Sequence, residues 1–386
     1  MFYVGIDIAK NTHVAAISDD SITILEEPFS FNNNLLGFNQ LLKVLVLYPK
    51  EQLLIGLEAT AHYGENLLNF LFQNGYKVAL LNPLQTAALR KNNIRKTKTD
   101  KVDALTIIKV LKFEDVTTIS NRDINLIALR SLCNQRRNLL TLRTRSKIQL
   151  VAYMDQVFPE LQMFFKNNLH INTSYTLISL HTSPQDIKQL HLTYLTNLLK
   201  KASRGRYGKI QALQLKQIAK GSIGLDNPII CLQARMAIEQ IQLFNNQMDI
   251  IEKEIIKRVD ALDSRIMTIP GLKQISAAMI LSVIGDINRF PSSKAIIAYA
   301  GLDPVVFQSG KFEANTTHMS KRGNSMLRYA LMLAAHNIVR NSDTFSNFYA
   351  KKISEGKSHY SALGHVAGKL IRVIYTLLKN DIDFKE

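Results

Sequence analysis

The chain has 386 residues, 46% of them hydrophobic and 20% charged, which supplies enough apolar material for two or three buried cores and rules out a disordered polymer. It holds two cysteines and no uncharged apolar run near the ~20 residues needed to cross a bilayer, which excludes a disulfide scaffold, a cysteine zinc site and a helical membrane protein. The formal charge of +17 is unevenly placed: residues 1–115 carry 12 Lys/Arg and 12 Asp/Glu, leaving 36 minus 19, again +17, for residues 116–386. A neutral first part and a strongly basic remainder point to chemistry in the former and a grip on polyanion in the latter.

The first part reads as strands over 2–8, 12–18 and 22–28, a helix over 33–48, a strand over 52–58, a helix over 62–74, a strand over 76–82 and helical segments from 84 to 113. Three closely spaced strands predict an antiparallel meander, and the alternation that follows predicts parallel strands. Asp7 ends the apolar run Phe2-Tyr3-Val4-Gly5-Ile6, and Glu58 ends Leu53-Leu54-Ile55-Gly56-Leu57. Strands this apolar are buried on both faces, and an ionised carboxylate at such a tip is costly to desolvate unless a cation or donor meets it. Asp100 and Asp103 lie three apart at the start of a helical pattern and share one helix face. Any one of these acids is equally well a helix cap or a solvated loop residue. Hard oxygen donors from two strands and a helix suit Mg²⁺ or Mn²⁺, and paired ions are the usual clamp for phosphodiester chemistry. The order of elements resembles the ribonuclease H-like fold, which carries acids at its first strand, fourth strand and a late helix.

Residues 122–160 are helical and basic, with Arg136 and Arg137 among the cations set between leucines. Residues 161–235 are less regular and contain the basic loop Lys200-Lys201-Ala202-Ser203-Arg204-Gly205-Arg206-Tyr207-Gly208-Lys209. The stripe Ile238, Ile241, Phe244, Met248, Ile251, Ile255, Val259, Leu262 predicts a long amphipathic helix, a candidate coiled-coil seam that serves burial within its own domain or dimerisation equally well.

The last part begins with Ile269-Pro270-Gly271-Leu272-Lys273, a Pro-Gly hairpin between two apolar helices that resembles a helix-hairpin-helix unit, whose amides meet a phosphate. Glycines at 301, 310 and 323 interrupt the helical pattern, and Ser309 sits there among Lys311, Lys321, Arg322 and Arg328. A hydroxyl on irregular backbone among cations is unusual for a plain structural bundle.

With these motifs in place the chain resembles the insertion-sequence-110 family of DEDD transposases, also described as bridge-RNA-guided recombinases. The resemblance is carried by Gly5-Ile6-Asp7, Glu58-Ala59-Thr60, Asn82-Pro83, Lys98-Thr99-Asp100-Lys101-Val102-Asp103, Ile269-Pro270-Gly271, Tyr299 to Pro304, Gln308-Ser309-Gly310 and Ser320-Lys321-Arg322-Gly323-Asn324. It spans nearly the whole chain and is weakest over 160–235. It implies an α/β RuvC-like domain (1–115), a basic helical connector with a coiled coil (116–262), a mainly α transposase domain with a catalytic serine (263–345) and a helical tail (346–386). It also implies divalent metal, Mg²⁺ or Mn²⁺, on Asp7, Glu58, Asp100 and Asp103, and Ser309 as nucleophile. Lys273, Lys311, Lys321, Arg322, Arg328, Arg136 and Arg137 are the expected nucleic-acid contacts. The expected partners are donor and target DNA, a guide (bridge) RNA and further copies of the chain in a dimer or tetramer, with no membrane, in the bacterial cytosol or nucleoid. A water-using RuvC-like nuclease and a non-catalytic nucleic-acid-binding protein are the alternatives.

Overall fold

A computed structural model describes residues 1–58, 63–81, 86, 99–114, 116, 118–304, 308–309, 312–313 and 318–386, with only the backbone for 121–122 and the two short strands at 308–313. The chain forms two compact units, Met1–Ile124 and Asn125–Glu386.

The first unit is built on β1 (Phe2–Asp7), β2 (Thr12–Ser18), β3 (Ile24–Asn32), β4 (Leu53–Glu58) and β5 (Lys77–Leu81), in the order β3-β2-β1-β4-β5. β1 pairs antiparallel with β2, β2 antiparallel with β3, and β1-β4-β5 run parallel. A three-strand meander continued by parallel crossovers is the ribonuclease H-like arrangement, so this domain has the α/β fold expected. β3 starts later and runs further than the expected 22–28. A turn in which Asp19 accepts from the Ser21 and Thr23 amides, with Ile22 left-handed, delays its start. Pro28 does not end it, because β3 is an edge strand and Pro28 falls in the register shift between Ile17↔Glu26 and Ala15↔Phe29.

Helix α1 (Leu35–Leu45) packs along β3 and α2 (Glu65–Gln73) along β5. Helix α3 (Asp100–Phe113) lies on one sheet face, burying Ala104, Ile107, Ile108 and Leu111 against Tyr3, Val14, Leu54 and Ala79. Thr99 caps it by accepting from the Val102 amide. Glycine at position 5 permits this contact, since a Cβ there would stand 2.1 Å from the Ala104 carbonyl oxygen. Gly5→Ala is therefore expected to destabilise the full chain by about 1–3 kcal/mol, read as a lower urea midpoint.

The second unit is helical: α4 (Asn121–Val157, its first turn in the first unit), α5 (Glu160–Phe164), α6 (Asn172–Leu180), α7 (Pro184–Gln189), α8 (Leu192–Ala202), α9 (Lys209–Lys220), α10 (Pro228–Asp260), α11 (Gln274–Ile284), α12 (Ser293–Ala300), α13 (Ser325–Ile338), α14 (Asp343–Ser354) and α15 (His359–Asn380). The apolar stripe of α10 is used within the chain. Ile238 and Ile241 pack with Leu150 and Met154 of α4 in one core, while Ile255 and Val259 pack with Leu126 and Leu129 in another. Arg136–Glu252 (2.6 Å), Arg143–Asn245 (2.9 Å) and Ser146–Gln240 (2.9 Å) clasp the pair along its length. Of the two readings of that seam, burial within its own unit is the one observed.

Helices α11, α13 and α15 form the second core, so residues 346–386 are packed into the same body as 263–345. The turn at Pro270-Gly271 is preceded by a short 3₁₀ segment, Arg265–Thr268, where the sequence pointed to a full helix. Gly271 has φ +83 and lies against Asn341, a fit that a side chain would disrupt.

Candidate active site

Alternation along β1 and β4 decides where the acids go. Tyr3 and Leu54 face α3, and the Cβ positions of Gly5 and Gly56 meet Ala104 and Ile107/Leu111 respectively. Asp7 and Glu58, two residues further on, therefore belong to the same face. The parallel register Gly5↔Gly56, Ile6↔Leu57 makes them the next step on neighbouring strands. Asp103 immediately precedes Ala104, whose carbonyl sits over Gly5, so α3 brings a third acid to this end of the sheet.

Glu58 and Asp103 are 7% and 4% exposed, Asp7 is half-buried and Asp100 is exposed. An acid in a first helical turn gains from the helix dipole, which accounts for Asp100 but does not require burial of Asp103. Among the described residues no three His, Cys, Asp or Glu side chains are gathered tightly enough to hold an ion. The backbone thus assembles three acids on one face, while the carboxylates themselves are not drawn together in this conformation. The donor chemistry still fits a hard divalent cation, being carboxylate oxygen throughout.

In the second unit, two loops are laced together beside the serine. Ser320 N–H donates to the Asp303 carbonyl (2.9 Å), Lys321 N–H to Gly301 (3.1 Å) and Asn324 N–H to Tyr299 (2.7 Å), and Pro304 bridges Met319. The chain leaves this lacing at 304 and returns at 319, and between them β6 (Gln308–Ser309) pairs antiparallel with β7 (Phe312–Glu313). Ser309 thus lies on a hairpin rooted in the basic loop. Its side chain lies outside the described residues, as do Lys311, Gly310, Ala59, Thr60, Asn82, Pro83 and Lys98 altogether.

The remaining cations differ in their engagements. Lys321 and Arg322 are exposed, with Lys321 left-handed at φ +51, and Lys273 is exposed at the start of α11. Arg328 donates to the Ala300 carbonyl (2.8 Å) and packs under Gly301, so it holds the loop in shape. Arg137 donates to Ser325 Oγ (3.1 Å), while Arg136 is committed to Glu252. Cys133 is buried and its thiol is pushed up to about 11 by that burial, leaving it inert as a nucleophile.

One arrangement was not legible in the sequence. Ser320 Oγ donates to Asp303 Oδ1 at 2.7 Å, a hydroxyl–carboxylate pair separated by 17 residues with no periodic pattern to announce it. Arg289 likewise stacks its guanidinium over Phe290 (4.7 Å) and Tyr299 (5.3 Å), steadying the end of α12 from which the loop departs.

A family model for DEDD transposases of the IS110 type, described as Transposase, matches residues 4–159, and one described as Transposase IS116/IS110/IS902 family matches residues 263–350, together more than half of the chain. The chain belongs to the IS110 family of transposases. This IS110-family chain is 26% identical to the pilin gene-inverting protein of Moraxella lacunata over 99% of its own length and 97% of that protein. It is 23% identical to a 44.8 kDa protein of insertion element IS116 from Streptomyces clavuligerus, covering 98% of this chain and 94% of the relative. It also overlaps the structure of T. thermophilus RuvC in complex with Holliday junction substrate, with 12% identity and a TM-score of 0.24, over 31% of this chain and 99% of the other. The strand order, rather than that overlap, carries the fold assignment. As an IS110-family transposase the protein is an enzyme that cuts and rejoins DNA. Among the described residues no helix is long and apolar enough to cross a membrane.

Proposed function

We propose that this transposase recombines DNA through a serine-linked intermediate, with the acid cluster and the serine hairpin acting on the same strand. The observation that carries the reading is the shared face beneath α3, where β1, β4 and α3 deliver Asp7, Glu58 and Asp103, with Asp100 at the rim. Acids brought to one end of a buried sheet face suit a site that a cation completes when substrate phosphate is present. Those residues would hold Mg²⁺ or Mn²⁺, which supplies charge neutralisation and polarisation at the scissile phosphate.

Ser309 Oγ attacks phosphorus, the bond to one strand's sugar oxygen breaks, and that oxygen leaves as a hydroxyl. A hydroxyl from a second strand then attacks the phosphoserine ester, releasing the serine and sealing a new junction, so bond energy is kept throughout. Lys321, Arg322 and Lys273 offset phosphate charge, with Lys311 beside the serine in sequence. Asp303–Ser320 favours a second reading in which Ser320 is the nucleophile and Asp303 its base, since their 2.7 Å hydrogen bond is within reach for proton transfer.

The +17 charge beyond residue 115 supports a structured guide RNA as well as DNA. Exchange of four strand ends calls for a dimer or tetramer. The outward residues Ile229, Met236, Leu243 and Ile250 of α10, seven apart and at least half exposed, offer a coiled-coil seam for that contact. The expected result is that protein purified with its cellular RNA joins donor to target DNA in Mg²⁺ and loses target choice after ribonuclease treatment. Unchanged target choice after complete RNA removal would overturn the guide assignment.

A further inference from the structure

Between the two matched segments, the helical region of the second unit forms a half-open cavity of about 840 Å³. Its wall carries Lys166, Arg204 and Arg206 and no acidic residue. Across residues 163–214 the chain holds seven Lys/Arg (166, 188, 200, 201, 204, 206, 209) against one acid, Asp186. None of the three lining cations has a carboxylate partner among the described residues.

Two of them are held in costly backbone. Lys166 and Arg204 have φ +54 each, a left-handed conformation that side-chain-bearing residues rarely adopt. Glycine would be easier at either place, and strain of about 1–3 kcal/mol per site persists where the surroundings enforce it, commonly where a ligand is met. Beneath the cations the wall is aromatic. Tyr207 lies 5.8 Å from the Phe164 ring and 5.9 Å from Phe165, so its ring is braced by two others. Asn172, at the start of α6, adds an amide to the wall while donating to the Ala202 carbonyl (3.3 Å).

We infer that this cavity binds an unpaired nucleotide of a single-stranded nucleic acid, its phosphate on Lys166, Arg204 and Arg206 and its base against Tyr207. Cations without counter-charge around one cavity select a polyanion. A braced aromatic ring gives any base a stacking surface, worth about 1–3 kcal/mol per base. A duplex keeps its bases stacked inward and does not offer one to the Tyr207 ring, whereas a loop or frayed end does. The inference stands on the cavity and extends the nucleic-acid reading above. It is read by binding alone, so it can fail while strand joining stands, and the reverse.

The test measures fluorescence anisotropy of the full-length protein with a labelled twelve-nucleotide uridine RNA, the matching thymidine DNA and a twenty-base-pair duplex. Arg204→Gln/Arg206→Gln should weaken single-strand binding at least tenfold and reduce the slope of log K against log salt by about 1.4, two contacts at ~0.7 each. The charge-matched control Lys209→Gln/Lys220→Gln, at exposed positions that do not line the cavity, should change it less than threefold. Tyr207→Leu should weaken binding without changing the salt slope, with melting curves confirming the fold. Loss on the RNA alone, or on both single strands, supports the site and names its source. Equal loss on the duplex, equal loss in the control, or wild-type binding by the Arg204/Arg206 variant would overturn it.

Discussion

Asp103→Asn is expected to lower DNA strand cleavage by at least about 100-fold while DNA binding is retained or tightened, the loss typical of removing one preorganised charge at a reacting phosphate. Asparagine keeps the volume of a 4%-exposed side chain in the first turn of α3, so the helix stays seated on Gly5 and the defect is chemical. Asp7→Asn and Glu58→Gln should behave alike, and Asp100→Asn, at an exposed position, should be milder. Binding should tighten if anything, because each neutralised carboxylate removes a repulsion toward phosphate. Calorimetric titration with Mn²⁺ gives a readout apart from activity: heat of binding present in the wild type and reduced in each buried variant. Cleavage by Asp103→Asn at the wild-type rate would sink the assignment of this face as the metal site.

The second large effect concerns the serine. Ser309→Ala should bind DNA and RNA as the wild type does yet leave no protein–DNA adduct after denaturation, with strand joining below detection. Ser320→Ala is the informative comparison, because Asp303 already holds that hydroxyl at 2.7 Å. If Ser320 only braces the loop, its loss leaves adducts on Ser309 and slows their formation modestly. Peptide mapping that placed the DNA on Ser320 would transfer the nucleophile's role to it and make Asp303 its base. Cleavage with no adduct in any protein would instead indicate direct attack by water.

The acids were visible in the sequence because each terminates an unusually apolar strand or opens a helix, and the period of two along β1 and β4 fixes their shared face. Gly5 and Gly56 were visible only as residues of those strands. That they are the places where α3 touches the sheet depends on contacts between segments some 50 to 100 residues apart, which no local pattern encodes. The start of β3 is hidden in the sequence because the Asp19 turn acts through a side-chain oxygen, and its end because a proline on an edge strand costs no ladder bond. The α10 stripe was correctly legible as a seam, but its partner was not, since antiparallel pairing with α4 and pairing with another copy leave the same apolar spacing. The Asp303–Ser320 bond and the left-handed Lys166 and Arg204 were beyond reach for a common reason. Both are products of loop geometry, where side-chain placement follows from distant packing rather than from period.

The antiparallel pair α4 and α10 has a mechanical consequence. Leu129 belongs to the core built on α11, α13 and α15 and Leu150 to the core beside the cationic cavity, and both lie on one unbroken helix. They stand 21 positions apart, ~32 Å at 1.5 Å per residue. With α10 clasped alongside, the helix resists bending and holds the two cores at a fixed separation. A seven-residue insertion in both helices would lengthen that separation by ~10 Å while keeping every apolar residue on its face.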